Sequence, residues 1–299
     1  MDKIQAVKVM QDYIRLHFAD HGFEAADVCR AVGYSRRHGD RIFKELTGKT
    51  IQEYLSSVCL SKGADDLLKT EDSILDVALN CHFQSHEGFT RSFRRHFHIS
   101  PGEYREKKIP IPLFVQYPVS NYEILLRHKE EKSMSDALNL CMIIPKERQK
   151  RKLIYILSRE AEDYMSFCQE MGCEWEGLLN SIPEKIDTAA LIELPDFLVE
   201  EGYSKVAAGV EVPLDYDKPL PDGYRTGELQ ACTMLYFQSE PYEKEEDFCK
   251  AIESAYKAVE KFNPEQYGYK MAYDIAPTFN FGAETKTGAR LAVPVINKE

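Results

Sequence analysis

The first third of this chain is written twice. Aligning "DVCRAVGYSRRHGDRIFKELTGKTIQEY" (27–54) with "DVALNCHFQSHEGFTRSFRRHFHISPGEY" (76–104) matches Asp27-Val28 to Asp76-Val77 at an offset of 49. One extra residue in the second turn makes the offset 50. Ser35 then meets Ser85, Arg41 meets Arg91, Phe43 meets Phe93, and Glu53-Tyr54 meets Glu103-Tyr104. Each copy reads as a short helix, a tight turn and a second helix rich in basic residues, which is the helix-turn-helix pattern.

The second basic helix shows how such a unit divides its labour. Phe89, Phe93 and Phe97 recur at i, i+4, i+8 and form one apolar stripe, while Arg91, Arg94 and Arg95 fall on the opposite side. One face can dock on a core and the other can meet an anion; a merely solvated basic face is the plainer alternative. Gly33 sits where the first turn needs a positive φ, and Ser35 and Ser85 are placed to cap the helices that follow. Between the copies, residues 50–70 have helical periodicity and would span roughly 30 Å. That is close to one B-DNA turn of about 34 Å, so two basic helices could enter successive major grooves.

Charge places a nucleic-acid surface in the same region. The chain carries a formal net charge of −11, yet residues 1–108 hold 17 Lys and Arg against 16 Asp and Glu, leaving 21 against 33 for the remainder. The first third is neutral with local basic faces, and the rest is acidic. At 299 residues the chain is long enough for two or three domains. No apolar run reaches the 18 or so residues of a membrane span, and the amphipathic, acid-bearing start does not read as a signal peptide. Eight scattered cysteines suit reduced thiols in a cytoplasm. Cys81 with His82 and His86, and Cys168 with Cys173, lack a second paired half at zinc spacing, so neither a metal nor a cofactor is expected.

Over about residues 3–107 the chain closely resembles the AraC/XylS family of transcriptional regulators. "GYSRRHGDRIFKELTGKTIQEYL" and "SILDVALNCHFQSHEGFTRSFRRHFHISPGEYR" carry the resemblance. It implies an all-α domain of seven helices, with helices at about 35–47 and 85–97 in the major groove of double-stranded operator DNA. It places Ser35, Arg36, Arg37, His38 and Arg41 in the first reading helix, and Gln84, Ser85, His86, Thr90, Arg91, Arg94 and Arg95 in the second. The arginines could pair with guanine or clamp phosphates. Four positions depart from the family pattern: Cys59 stands where Arg or Lys is common, Gly39 where a leucine packs, and His82 and His98 where Gly is favoured. RNA polymerase is left open as a further partner.

The expected domain boundaries are 1–108, a proline-containing linker over 109–136, and 137–299. Pro110, Pro112 and Pro118 break helix in the linker, though Leu113, Phe114 and Tyr117 are apolar enough to pack on a domain. Beyond it, "LNLCMIIP" and "KLIYILS" read as paired strands around a turn. Residues 159–182 and 242–262 read as amphipathic helices, and "CTMLYFQS", "TFNFG" and "ARLAVPV" as further strands. Here too the chain echoes itself, at an offset of 81: Tyr155, Ser158, Glu162, Phe167 and Cys168 recur as Tyr236, Ser239, Glu243, Phe248 and Cys249. Two like halves joined edge to edge would form a cleft along a pseudo-twofold axis, a natural place for a ligand.

This region resembles GyrI-like effector-binding domains, on "AAGVEVPLDYDKPLPDGY" (207–224), "TMLYFQSEPY" (233–242) and "PTFNFG…ARLAVPV" (277–295). The fold implied is α+β, with duplicated halves and an antiparallel sheet. The family implies an aromatic pocket around a buried glutamate that selects lipophilic cations. This chain has Asn280 where that glutamate is usual and Arg290 where an acid is frequent, so a neutral or weakly anionic aromatic effector is expected. Glu284 or Asp274 is the alternative source of the missing charge. The expected pocket comprises Tyr164, Phe167, Trp175, Tyr236, Tyr256, Phe279, Asn280, Phe281 and Arg290, although aromatics at helical spacing also serve as plain core. The leading function is therefore a ligand-responsive, non-enzymatic transcription regulator. A ligand-sequestering protein with weakened DNA binding and a GyrI-like hydrolase are the alternatives. All eight histidines precede residue 130, so no nucleophile–His–Asp arrangement can be drawn in the second domain.

Overall fold

A computed structural model of the protein describes residues 2–20, 22–116, 119, 141–172, 174–244 and 247–298. Expectations that fall on Tyr117, Pro118, residues 120–140 and Cys173 lie outside the described residues. The chain divides into two compact units, Met1–Leu126 and Arg127–Glu299. No described helix is long and apolar enough to cross a membrane.

The first unit is all helix: α1 (Lys3–His17), α2 (Ala25–Ala31), α3 (Arg36–Thr47), α4 (Ile51–Lys69), α5 (Ile74–Asn80), α6 (His86–Phe97) and α7 (Pro101–Lys107). The sequence repeat is a repeat of helix-ending chemistry. Capping boxes open α2 (Glu24 with Asp27) and α5 (Ser73 with Asp76), and again α4 (Thr50 with Glu53) and α7 (Ser100 with Glu103). Gly33 and His82 turn the chain out of α2 and α5 at φ of 70° and 59°. Gly48 and His98 close α3 and α6 in left-handed conformations, at 74° and 59°. Histidine therefore occupies both glycine-favouring positions of the second copy.

Helix α4 serves both copies. Leu55 and Val58 join the core formed with α1–α3, whereas Leu60, Ala64 and Leu67 join that formed with α5–α7. Phe89, Phe93 and Phe97 are all buried in the second core. Gly63 of α4 admits the Phe89 ring, which lies 3.0 Å from where a Cβ would stand. The residue equivalent to Phe89 in the first copy is Gly39, and its vacant side-chain space is filled by Cys29 Sγ and Met10 Cε.

Part of the expected linker runs back over the helices. Ile111 joins the second core and Phe114 packs on the first, its ring edge-on to Tyr54 at 4.8 Å. The Phe114 N–H donates to Ser61 Oγ at 2.7 Å, and the Val119 N–H to Gln11 Oε1 at 2.9 Å.

The second unit is an antiparallel sheet with helices: β1 (Cys141–Arg148), β2 (Arg151–Leu157), α8 (Tyr164–Met171), α9 (Glu174–Asn180), β3 (Ala190–Glu193), β4 (Val206–Pro213), β5 (Tyr224–Leu229), β6 (Cys232–Ser239), α10 (Phe248–Lys261), β7 (Tyr269–Met271), β8 (Thr278–Glu284) and β9 (Gly288–Asn297). Strand order is β1-β6-β9-β8-β3-β4-β2-β5, with β7 on β9. The order is a palindrome of two like halves. Strands β2, β3 and β4 of one half correspond to β6, β8 and β9 of the other, and β8 meets β3 at the centre. The offset of 81 that relates β2 to β6 also carries β1 onto the β5 region.

Three expectations are corrected. Strands β1 and β2 do not pair with each other: β1 pairs β6, while β2 pairs β4 and β5. Each half's leading strand crosses to the edge of the other half, a non-local exchange that a short turn cannot reveal. The expected helix over 159–182 is two helices, because Gly172 leaves α8 at φ 72°, ψ −175°. The helix expected from 242 begins at Phe248. Strands β3, β4, β5 and β7 carry no strong alternation and were not predicted.

Candidate functional site

In the helical unit the basic residues stand on surfaces set by the caps. Ser35 Oγ accepts from the His38 N–H at 3.4 Å and Ser85 Oγ from the Gly88 N–H at 3.1 Å, so both hydroxyls are committed to starting α3 and α6. Arg36, Arg37, His38 and Arg41 are exposed on α3, as are Gln84 before α6 and Arg91, Arg94 and Arg95 on it. His86 is half-buried. Arg36 lies 3.8 Å from Asp40, and Arg41 Nη2 lies 3.2 Å from His38 Nδ1. Arg37, Arg91, Arg94 and Arg95 form no ion pair or hydrogen bond with any described residue. On α6 they oppose the fully buried phenylalanine stripe. Thr90 differs from its neighbours: its hydroxyl is buried with no described partner, and so it does not share the exposed face.

The nine expected effector residues do not form one pocket. Phe167 and Trp175 are buried with half-buried Tyr164 in the core between α8, α9 and the sheet, their rings edge-to-face at 5.8 Å. Tyr256 of α10 and Asn280 of β8 meet on the helix-bearing face, where the Asn280 amide donates to the Tyr256 hydroxyl at 3.2 Å. Tyr236, Phe279, Phe281 and Arg290 lie on the opposite, inner face. There Phe279 and Phe281 stack at 5.7 Å, and Phe281 and Tyr236 at 5.8 Å. Register explains the split. Asn280 is paired with Leu291, so Arg290, one residue earlier on β9, must point to the other side of the pleat.

The inner face holds a charged network, of which sequence reading named Tyr236 and Arg290 and missed Arg148, Arg151, Glu211 and Asp187. Arg151 Nε donates to Glu211 Oε1 at 2.5 Å, with the two residues only 1% and 3% exposed. Arg148 donates to Glu211 Oε2 at 3.1 Å and to the Tyr236 hydroxyl at 2.6 Å. The Tyr236 hydroxyl donates in turn to Asp187 at 2.8 Å, and Arg290 Nη2 donates to Asp187 and Thr188 at 3.0 and 2.8 Å. Burial pushes the Tyr236 phenol up, with Asp187 adding to the rise and Arg148 opposing it. The sequence signal for Arg148 and Arg151 was their place beside an apolar strand. On the helix-bearing face, partial burial raises the Tyr256 and Tyr273 phenols, and the Glu193 carboxylate raises both further. Glu193 of β3, rather than Glu284 or Asp274, is the carboxylate near Asn280's hydroxyl partner.

Residues 28–107, all in the helical unit, match the family model described as a helix-turn-helix domain. The chain is 36% identical over 93 residues to the transposon Tn10 TetD protein of Escherichia coli, covering 31% of this chain and 67% of that protein. It is 38% identical over 87 residues to the probable transcription factor PqrA of Proteus vulgaris, covering 29% of this chain and 71% of that protein. The chain belongs to the AraC/XylS family. This AraC/XylS regulator is also 35% identical over 105 residues to the transcriptional regulator Rob of Salmonella typhimurium, a match that spans 35% of this chain and 36% of Rob.

Proposed function

We propose that this protein regulates transcription by gripping duplex DNA with α3 and α6, under the control of a small organic effector held by a GyrI-like sheet unit. One observation carries the DNA reading: the arginines of α6 stand exposed and without described partners behind a stripe of buried phenylalanines. Unneutralised guanidinium groups on a rigid helix suit phosphate contacts and bidentate pairing with guanine. Helix α4, 19 residues long, spans about 28 Å. Such a span suits two reading helices in successive grooves. The relatives' names, two of them transcription factors or regulators, support the same reading.

For the effector, we read a neutral or weakly anionic molecule with an aromatic or lipophilic body. The cationic inner face, with Arg290 beside Tyr236 and Phe281, supports this. A mobility shift on the DNA upstream of its own gene, repeated as salt rises, tests the DNA reading. Affinity should fall steeply, and Arg91→Ala, Arg94→Ala and Arg95→Ala should each weaken binding and lower the salt slope by about one where a phosphate is lost. Absence of any shift at low salt would favour a sequestering protein instead.

A further inference from the structure

The two halves of the sheet unit treat their inner faces differently. Between β3 and β4, residues 194–205 fold over the sheet, and Leu194, Leu198, Val199 and Tyr203 pack on Leu153, Tyr155 and Leu157. The equivalent connection between β8 and β9 is a tight turn over 285–287. Nothing comparable from that connection covers β1 and β6. Met142 and Ile144 of β1 are accordingly 59% and 38% exposed, and register places them beside Gln238 and Tyr236 on the inner face.

The same face has cationic groups in excess among the described residues. Lys146, Arg148, Arg151 and Arg290 gather there around the carboxylates of Glu211 and Asp187. Lys146 Nζ sits 4.1 Å over the Tyr236 ring and makes no hydrogen bond or ion pair with a described residue. The Arg290 guanidinium lies 4.1 Å over Phe281 and 5.9 Å from the Tyr236 ring. It engages Asp187 and Thr188 through Nη2 alone, so its other N–H groups have no described acceptor. Tyr236 therefore has beside its ring two cations with donors to spare, next to an exposed apolar strip.

We propose that this inner face binds a lipophilic organic anion, a carboxylate or sulfonate. The acid group bridges Lys146 and Arg290, and the apolar body lies on Met142 and Ile144. Cations held over aromatic rings are already oriented, and charge-assisted donors on a partly dry surface recognise carboxylate more strongly than neutral groups. The site rests on the reading of the sheet unit as the effector-binding part, and it names the ligand class and the face.

Calorimetry on the full chain with naphthoate, naphthylmethanol and naphthylmethylammonium tests it, since the three share one ring system and differ in charge. Naphthoate should bind tightest. Lys146→Gln, at an exposed position, should weaken it about tenfold, as loss of one charged partner implies. Lys146→Glu should weaken it further, and Lys257→Gln, an equal loss of charge on α10 and so on the other face, should leave it unchanged. Binding of the ammonium compound as tightly as naphthoate overturns the proposal. So does an unaltered affinity in both Lys146 variants, a loss in Lys257→Gln as large as theirs, or no binding of any of the three. Mobility shifts run on the same samples keep the DNA reading separate. If naphthoate binds as described and DNA mobility never responds to it, the site stands and effector control through it falls.

Discussion

Asn280 and Arg290, on neighbouring paired strands, point to opposite faces of one sheet. Their two departures from the family pattern therefore cannot act on the same ligand atom. Asn280 belongs with Tyr256 and the nearby Glu193, and Arg290 with Tyr236 and Phe281. Asn280→Glu should add a second carboxylate to the helix-bearing face and raise affinity for a cationic aromatic there about tenfold or more. Naphthoate binding should not move. A thermal-shift screen of Asn280→Glu and the unaltered protein with matched charged ligands checks this, and a change in naphthoate affinity alongside that for the cation would mean that the faces are not independent.

Gly39 is a packing requirement. An added Cβ would lie 2.6 Å from Cys29 Sγ. Gly39→Ala gains helix propensity and loses more to crowding, for a net destabilisation of about 1–2 kcal/mol. Adding Cys29→Ala should restore most of the loss. Urea unfolding of the two variants decides it: if the second change deepens the loss, crowding against Cys29 is not the cause.

His98 and His82 both hold left-handed backbone, and only one has a contact that offsets the strain. His82 Nε2 lies 2.6 Å from the Phe18 carbonyl and its ring is edge-on to Phe18 at 5.3 Å. His98→Gly should raise stability by about 0.5–1 kcal/mol, as a left-handed helix end favours glycine. His82→Gly should give little or nothing, since relief of strain is balanced by the lost contact with Phe18. Equal gains in denaturant midpoint for the two variants would remove this distinction.

Acid should loosen the helical unit through its capping boxes. Hydrogen bonds from the Thr50 backbone and side chain hold the Glu53 carboxyl below the usual glutamate range, and those from Ser100 do the same for Glu103. A carboxyl whose folded value is depressed stabilises the fold above its unfolded value, and that contribution fades as pH falls through the folded one. Stability should therefore drop below the ordinary glutamate range. Glu53→Gln and Glu103→Gln, which keep an acceptor and lose the titration, should flatten the drop measured by thermal melts across pH.

Much of the helical unit was legible in the sequence because its signals are local. Caps at Ser35 and Ser85, the phenylalanine stripe and positive φ at Gly33 act within one or two turns, and so they read correctly from spacing alone. Thr90 escaped that reading, since the inward turn of one hydroxyl depends on the packing around it. In the sheet unit the duplication could be read from matched residues, and the strand exchange could not. Which edge β1 joins, and hence which residues sit beside Tyr236, is fixed by pairing across 90-odd positions of chain. The charged cluster of Arg148, Arg151, Glu211, Asp187 and Arg290 likewise exists only once four separate segments converge. Sequence alone determined the doubled helix-turn-helix, because helix ends and amphipathic faces are set by neighbours along the chain. Tertiary structure decided the two faces of the sheet, because a strand's side chains acquire an inside only when its partners and register are in place.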